Sequence, residues 1–149
     1  MTPEELRRRA VALGRRAVAC RRWRWMPGMR IRGIDKLCVG VTANKGCPMY
    51  RDGYGNYDFV SHAEPDLTDP ATLGCLLALV REAYPKHTLW VAPVCVEDPL
   101  DDTEFILDEP RAFTVMGSSE VSCYVTGLGR GRTEAEALVA ALEATEGRG

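Results

Sequence analysis

Apolar residues recur every three or four positions in three stretches of this chain and fall into short alternating or continuous runs between them. Leu6, Ala10, Leu13, Ala17 and Cys20, with Val11 and Val18 beside them, keep the helical period. A helix is therefore predicted over residues 3–22 with that face buried and its arginines pointing elsewhere. Thr2-Pro3-Glu4-Glu5 marks its start: a hydroxyl for a free N–H, proline at the first helical position, and glutamate three residues after the cap. Asp69-Pro70 repeats the cap-and-proline signal ahead of Leu73, Leu76, Leu77, Val80 and Tyr84, predicting an apolar helix over 70–84 that Pro85 ends. Thr133 and Glu136 open a third helix, over 133–145, whose face is Ala135, Leu138, Val139 and Leu142.

The intervening pattern is that of strands and turns. Residues 31–41 read as a hairpin or bent strand weakened by Gly33 and Gly40, and 88–96 as a core strand in which Pro93 argues for an edge or a bulge. Runs at 104–107, 111–116 and 121–126 follow at short spacing, the last alternating Val121, Cys123 and Val125 with polar residues, which predicts an antiparallel meander covered on one face. Residues 42–65 are rich in Gly, Asn, Asp and Tyr and read as an exposed loop with a short strand near 57–60. The expected fold is a single α+β domain over 1–149, with an antiparallel sheet of about four to six strands packed by two or three helices.

Composition narrows the class further. A chain of 149 residues buries about two-thirds of its unfolded surface and folds without covalent staples. Its longest apolar stretch, 73–80, falls short of the roughly 20 residues that span a bilayer, and the arginine-interrupted N-terminus does not read as a secretory signal, so a cytoplasmic protein without a membrane partner is expected. Six cysteines are present, but no two lie within four residues of each other, so free thiols are expected rather than zinc knuckles, with no metal and no cofactor. The net charge is −2, yet residues 1–36 hold 11 Lys/Arg against 3 Asp/Glu while the rest holds 8 against 18. That asymmetry directs attention to two oppositely charged segments.

Four segments carry candidate chemistry. Arg15, Arg16, Arg21, Arg22 and Arg24, with Trp23 and Trp25 interleaved, have the composition of a nucleic-acid contact, since guanidinium groups fork onto phosphates and indoles stack on bases. The same residues also suit a solvated helix face with both tryptophans in the core. Glu97, Asp98, Asp101, Asp102 and Glu104 form an acidic stretch able to imitate a phosphate backbone before a basic partner, or simply a soluble turn. Tyr50, Tyr54 and Tyr57 can supply an interface anchor, tyrosine giving large contact area at low entropic cost, or can cover the core. Gly129, Arg130, Gly131 and Arg132 belong to a glycine-rich segment between a predicted strand and a helix, where backbone N–H groups can meet an anion; a plain turn is the competing reading, because the nucleotide-binding spacings are absent. No set of residues supplies nucleophile, base and orienting group together, so no catalytic residue is assigned.

Residues 65–83 and 131–144, together with the Cys-Arg-Arg-Trp-Arg-Trp-Met-Pro-Gly-Met segment from Cys20 to Met29, resemble small proteins encoded by tailed bacteriophages and are similar to the phage α-β-α sandwich domain. The resemblance covers roughly half the chain, and residues 86–126 depart from it. It implies a phage or prophage origin, expression inside bacteria, and a part in host takeover or defence evasion; it transfers no residue role. The expected function is that of an accessory protein that binds and inhibits a host protein or nucleoprotein complex engaged in nucleic-acid handling or anti-phage defence. Two alternatives stand beside it, a direct nucleic-acid-binding module built on the arginine helix and a nucleotide sponge or small enzyme using 127–132. Oligomeric state is left open.

Overall fold

The computed structural model describes residues 2–94, 112–119 and 125–146. The chain is α+β, with three helices and eight strands among the described residues. It divides into two compact units, Met1–Leu79 and Val80–Gly149. The strands, expected in one sheet, are shared among three antiparallel sheets of two, three and three.

The first unit opens with helix α1 (Pro3–Ala19), whose Thr2 side chain accepts from the Glu5 N–H while the Glu5 carboxylate accepts from the Thr2 N–H. The helix stops short of the expected Arg22 because Cys20 turns extended, its N–H closing on the Ala17 carbonyl. Only the second half of the apolar face is covered: Leu13, Gly14, Ala17 and Cys20 are buried, whereas Leu6 remains 54% exposed. Strands β1 (Arg30–Ile31) and β2 (Lys36–Leu37) pair as a hairpin, with Gly33 and Asp35 in the left-handed region at its turn. Strands β3 (Gly40–Val41), β4 (Pro48–Arg51) and β5 (Tyr57–Phe59) follow in spatial order β3-β4-β5. The core gathers Trp25, Met29, Ile31, Cys38, Ala63 and Leu79, with Tyr50 and Val60 packed on it from the sheet. Hydrophobic burial of this order is what holds so small a set of strands together.

Helix α2 (Pro70–Ala83) begins in the first unit and ends in the second, so the division falls where the apolar spacing runs without a break. Its start is the one the sequence signals. Asp69 Oδ2 accepts from both the N–H and the hydroxyl of Thr72, and the Arg30 guanidinium lies 3.5 Å from Asp69 Oδ1. Burial raises this carboxyl, but the two Thr72 hydrogen bonds and Arg30 outweigh it and hold it below the ordinary carboxylate value. A depressed folded-state pKa contributes stability that is fully present above the unfolded value of about 3.9 and is lost as pH falls through the folded one. Asp69→Asn keeps the cap but removes the titration. Below about pH 4 the parent chain is expected to lose stability more steeply than this variant, read by urea unfolding at pH 5 and pH 3; parallel losses refute the assignment.

The second unit contains the last turn of α2, strands β6 (His87–Val94), β7 (Ala112–Ser119) and β8 (Val125–Gly131), and helix α3 (Glu134–Ala144). The strands form an antiparallel meander in the order β6-β7-β8, and Pro93 sits on the edge strand β6, where a missing N–H is tolerated. Ala135, Leu138, Val139 and Leu142 of α3 are buried as the spacing requires. Tyr84, also buried, donates its hydroxyl to the Ala141 carbonyl at 2.9 Å.

Candidate functional site

The residues from β4 to β5 expected as an aromatic loop form a hairpin with a specified turn. The Asp52 N–H donates to the Asn56 carbonyl, Asp52 Oδ1 accepts from the N–H groups of Tyr54 and Asn56 at 2.8 and 2.9 Å, and Gly55 takes the left-handed conformation the turn requires. This brace lifts Tyr54 to 93% exposure. Register then sorts the flanking residues: Arg51 faces Tyr57, Tyr50 faces Asp58, and Met49 faces Phe59. Because successive side chains alternate, Arg51, Tyr57, Met49 and Phe59 share one face and Tyr50, Asp58 and Val60 the other.

The second face is partly covered, Tyr50 and Val60 being half-buried and Asp58 exposed. Tyr50 packs against the core and donates its hydroxyl to Asp58 Oδ2 at 3.3 Å; burial and the charges of Asp58 and Asp52 raise its phenol. Tyr50 is thus a supporting residue rather than part of an exposed surface. The first face is open, with Tyr57 63% and Phe59 54% exposed and the Arg51 guanidinium carbon 5.8 Å from the Tyr57 ring centroid. Phe59 and Arg51 were not among the residues expected here. The two-residue spacing of Tyr57 and Phe59, on the strand expected near 57–60, is the signal that finds Phe59, whereas Arg51 joins them only through the β4–β5 register.

The basic set behaves differently from its tryptophans. Arg15, Arg16, Arg21, Arg22 and Arg24 are all exposed. Arg15 pairs with Glu64 at 2.7 Å, and the same carboxylate meets Arg32 at 3.5 Å, while Arg8 pairs with Glu4 one turn away. Trp25, however, is 7% exposed in the core, and Trp23 packs edge-on against it with ring centroids 5.6 Å apart. The expected stacking platform at Trp25 is therefore corrected: its ring face is already spent on Met29 and its neighbours. An open cleft of about 350 Å³ lies beside α1, lined by Leu6, Arg7, Arg32, Pro65, Asp66 and Thr68 among others.

The glycine-rich segment is also corrected. Gly129, Arg130 and Gly131 are strand residues paired with Val115, Thr114 and Phe113 of β7, not a loop. A Cβ at Gly129 would stand 2.4 Å from the Ala137 carbonyl oxygen and the Ala141 nitrogen, and one at Gly131 would stand 2.3 Å from Glu136 Cβ. The glycines are there so that α3 can approach the strand. At the helix start the Glu136 carboxylate accepts from the Arg132 N–H at 2.8 Å, and Thr133 accepts from the Glu136 N–H, so the chain's own groups fill the place proposed for an anion.

Glu97, Asp98, Asp101, Asp102 and Glu104 lie outside the described residues, as do Cys95 and Cys123. Cys20, Cys38, Cys47 and Cys75 are free thiols. Burial pushes the Cys38 and Cys75 thiols up, against the nucleophilic thiolate form. Among the described residues no group of three or more His, Cys, Asp or Glu side chains is placed to hold a metal ion, and no helix is long and apolar enough to cross a membrane. No family model, curated protein or solved structure matches the chain.

Proposed function

We propose that this chain is a phage-encoded accessory protein that binds and inhibits a host protein or nucleoprotein complex, using the β4–β5 hairpin as its grip. The observation that carries the reading is the Asp52-braced turn with Tyr54, Tyr57 and Phe59 exposed and Arg51 beside them. Tyrosine, phenylalanine and arginine are the residues in which binding energy concentrates, and a turn held by its own hydrogen bonds loses little entropy on docking. The phage origin and the intracellular setting rest on the resemblance of residues 20–29, 65–83 and 131–144.

The test is capture of partners from bacterial lysate by the tagged full chain, with and without nuclease, beside a Tyr54→Ala/Tyr57→Ala/Phe59→Ala variant. A stoichiometric host protein is expected to survive nuclease and to be lost on the variant, each anchor aromatic contributing roughly 2 kcal/mol, a factor of about 30. Undiminished capture by the variant sinks the reading. A second reading, a nucleic-acid module built on the arginine set, is favoured by the exposure of Arg15, Arg16, Arg21, Arg22 and Arg24. It requires binding that weakens steeply with salt and on Arg21→Ala/Arg22→Ala substitution.

A further inference from the structure

We infer that the open face of the β4–β5 hairpin is a stacking platform for single-stranded nucleic acid, Tyr57 and Phe59 each receiving a base and Arg51, opposite Tyr57 at the turn end of the hairpin, a flanking phosphate. This rests on the hairpin being the binding site and names the chemistry of its partner.

Tyr57 and Phe59 stand two residues apart on one strand, a separation of about 6.6–6.8 Å along the chain. That is twice the roughly 3.4 Å per nucleotide of a stacked strand, so the two rings suit neighbouring bases that have come apart and not bases held in a duplex. Arg51, already over the Tyr57 ring, lies on the same face with its guanidinium exposed. The far edge of this face, beyond Met49, is open. Across the sheet from Phe59 and Met49 the third strand presents Gly40, and a Cβ built there meets nothing within 4 Å.

Charge agrees with the shape. The first unit carries 13 Lys/Arg against 8 Asp/Glu, a surplus of 5. Asp52 accepts from two turn N–H groups, and Asp58 faces the opposite side, where Tyr50 donates to it. A basic unit displaying a pair of exposed rings offers counterion release and stacking together.

The experiment is fluorescence anisotropy of the full chain with fluorescein-labelled 12-nucleotide oligothymidylate and oligouridylate, and with a duplex of the same length. Single strands are expected to bind more tightly than the duplex. Tyr57→Ala and Phe59→Ala should each weaken binding roughly 5- to 150-fold. Gly40→Leu fills open space at a backbone angle any residue accepts, so it should leave the melting temperature unchanged while obstructing the platform and weakening binding. Single-strand binding indifferent to all three substitutions overturns the inference, and its loss on Arg21→Ala/Arg22→Ala instead assigns it to the arginine set. Absence of nucleic-acid binding in a chain that still captures a host protein through Tyr54, Tyr57 and Phe59 overturns the inference alone. Absence of both effects overturns the proposed function with it.

Discussion

Replacing Trp25 with alanine is expected to cost the first unit about 3–5 kcal/mol, the range for truncating a buried aromatic ring. The indole is 7% exposed, packs against Met29, Ile31, Cys38, Ala63 and Leu79, and receives the edge of Trp23 at 5.6 Å. Removal leaves a void that the short β1 and β2 strands cannot close without giving up their own pairing, since each is only two residues long. Arg22→Ala, on an exposed side chain nearby, should stay within about 0.5 kcal/mol. Urea unfolding followed by circular dichroism separates the two. A midpoint for Trp25→Ala as small in its shift as that of Arg22→Ala would return the indole to the surface and restore a stacking role for it. The contrast matters for any binding assay: loss of binding on Trp25→Ala reports lost fold, whereas loss on Tyr57→Ala reports a lost contact.

Gly129→Ala should be strongly damaging to the second unit. The added carbon would meet the Ala137 carbonyl oxygen and the Ala141 nitrogen at 2.4 Å and the Ala141 Cα at 2.8 Å, all backbone atoms of α3 that no rotamer change can move. The helix must lift from the sheet, uncovering Leu138 and Leu142, so about 2–3 kcal/mol is expected, at the upper end for overpacking. Gly127→Ala is the matched control two residues earlier on the same strand. There the nearest atom, Thr114 Cγ2, is 3.4 Å away, an ordinary contact, and the lower backbone entropy of alanine in the unfolded chain offsets what little crowding occurs. Thermal unfolding of the pair should separate by about 8–24 °C, at about 4–8 °C per kcal/mol for a unit of this size. Coincident melting would mean that α3 does not bear on β8 as closely as the distances say.

These cases also show what a sequence discloses and what it withholds. The helix starts at Thr2, Asp69 and Thr133 were legible because a cap is a local bargain between a side chain and the next three N–H groups. The second unit was legible in part: the runs expected at 88–96 and 111–116 fall on β6 and β7, β8 takes in glycines expected as a loop, and the run expected at 104–107 lies outside the described residues. Gly129 and Gly131 read as part of a turn because glycine frees the backbone, whereas here they serve by having no side chain beneath a helix that lies later in the sequence. Trp23 and Trp25 read either as stacking groups among arginines or as core residues; the core reading holds through Met29, Cys38 and Leu79, which no local pattern places beside them. Of the candidate site, Tyr54 and Tyr57 were visible and Phe59 follows from its two-residue spacing, but Arg51 joins them only through the pairing of β4 with β5. The division into two units left no trace in composition because it falls within a helix.

The turn at the end of the hairpin separates two duties that a binding loop usually combines. Asp52 and Gly55 hold the backbone, one through its carboxylate and the other through its conformation, while Tyr54 stands between them at 93% exposure. The fold therefore places almost no constraint on which side chain occupies position 54. That residue can be exchanged in a single mutational step while the chain inherits the same scaffold intact.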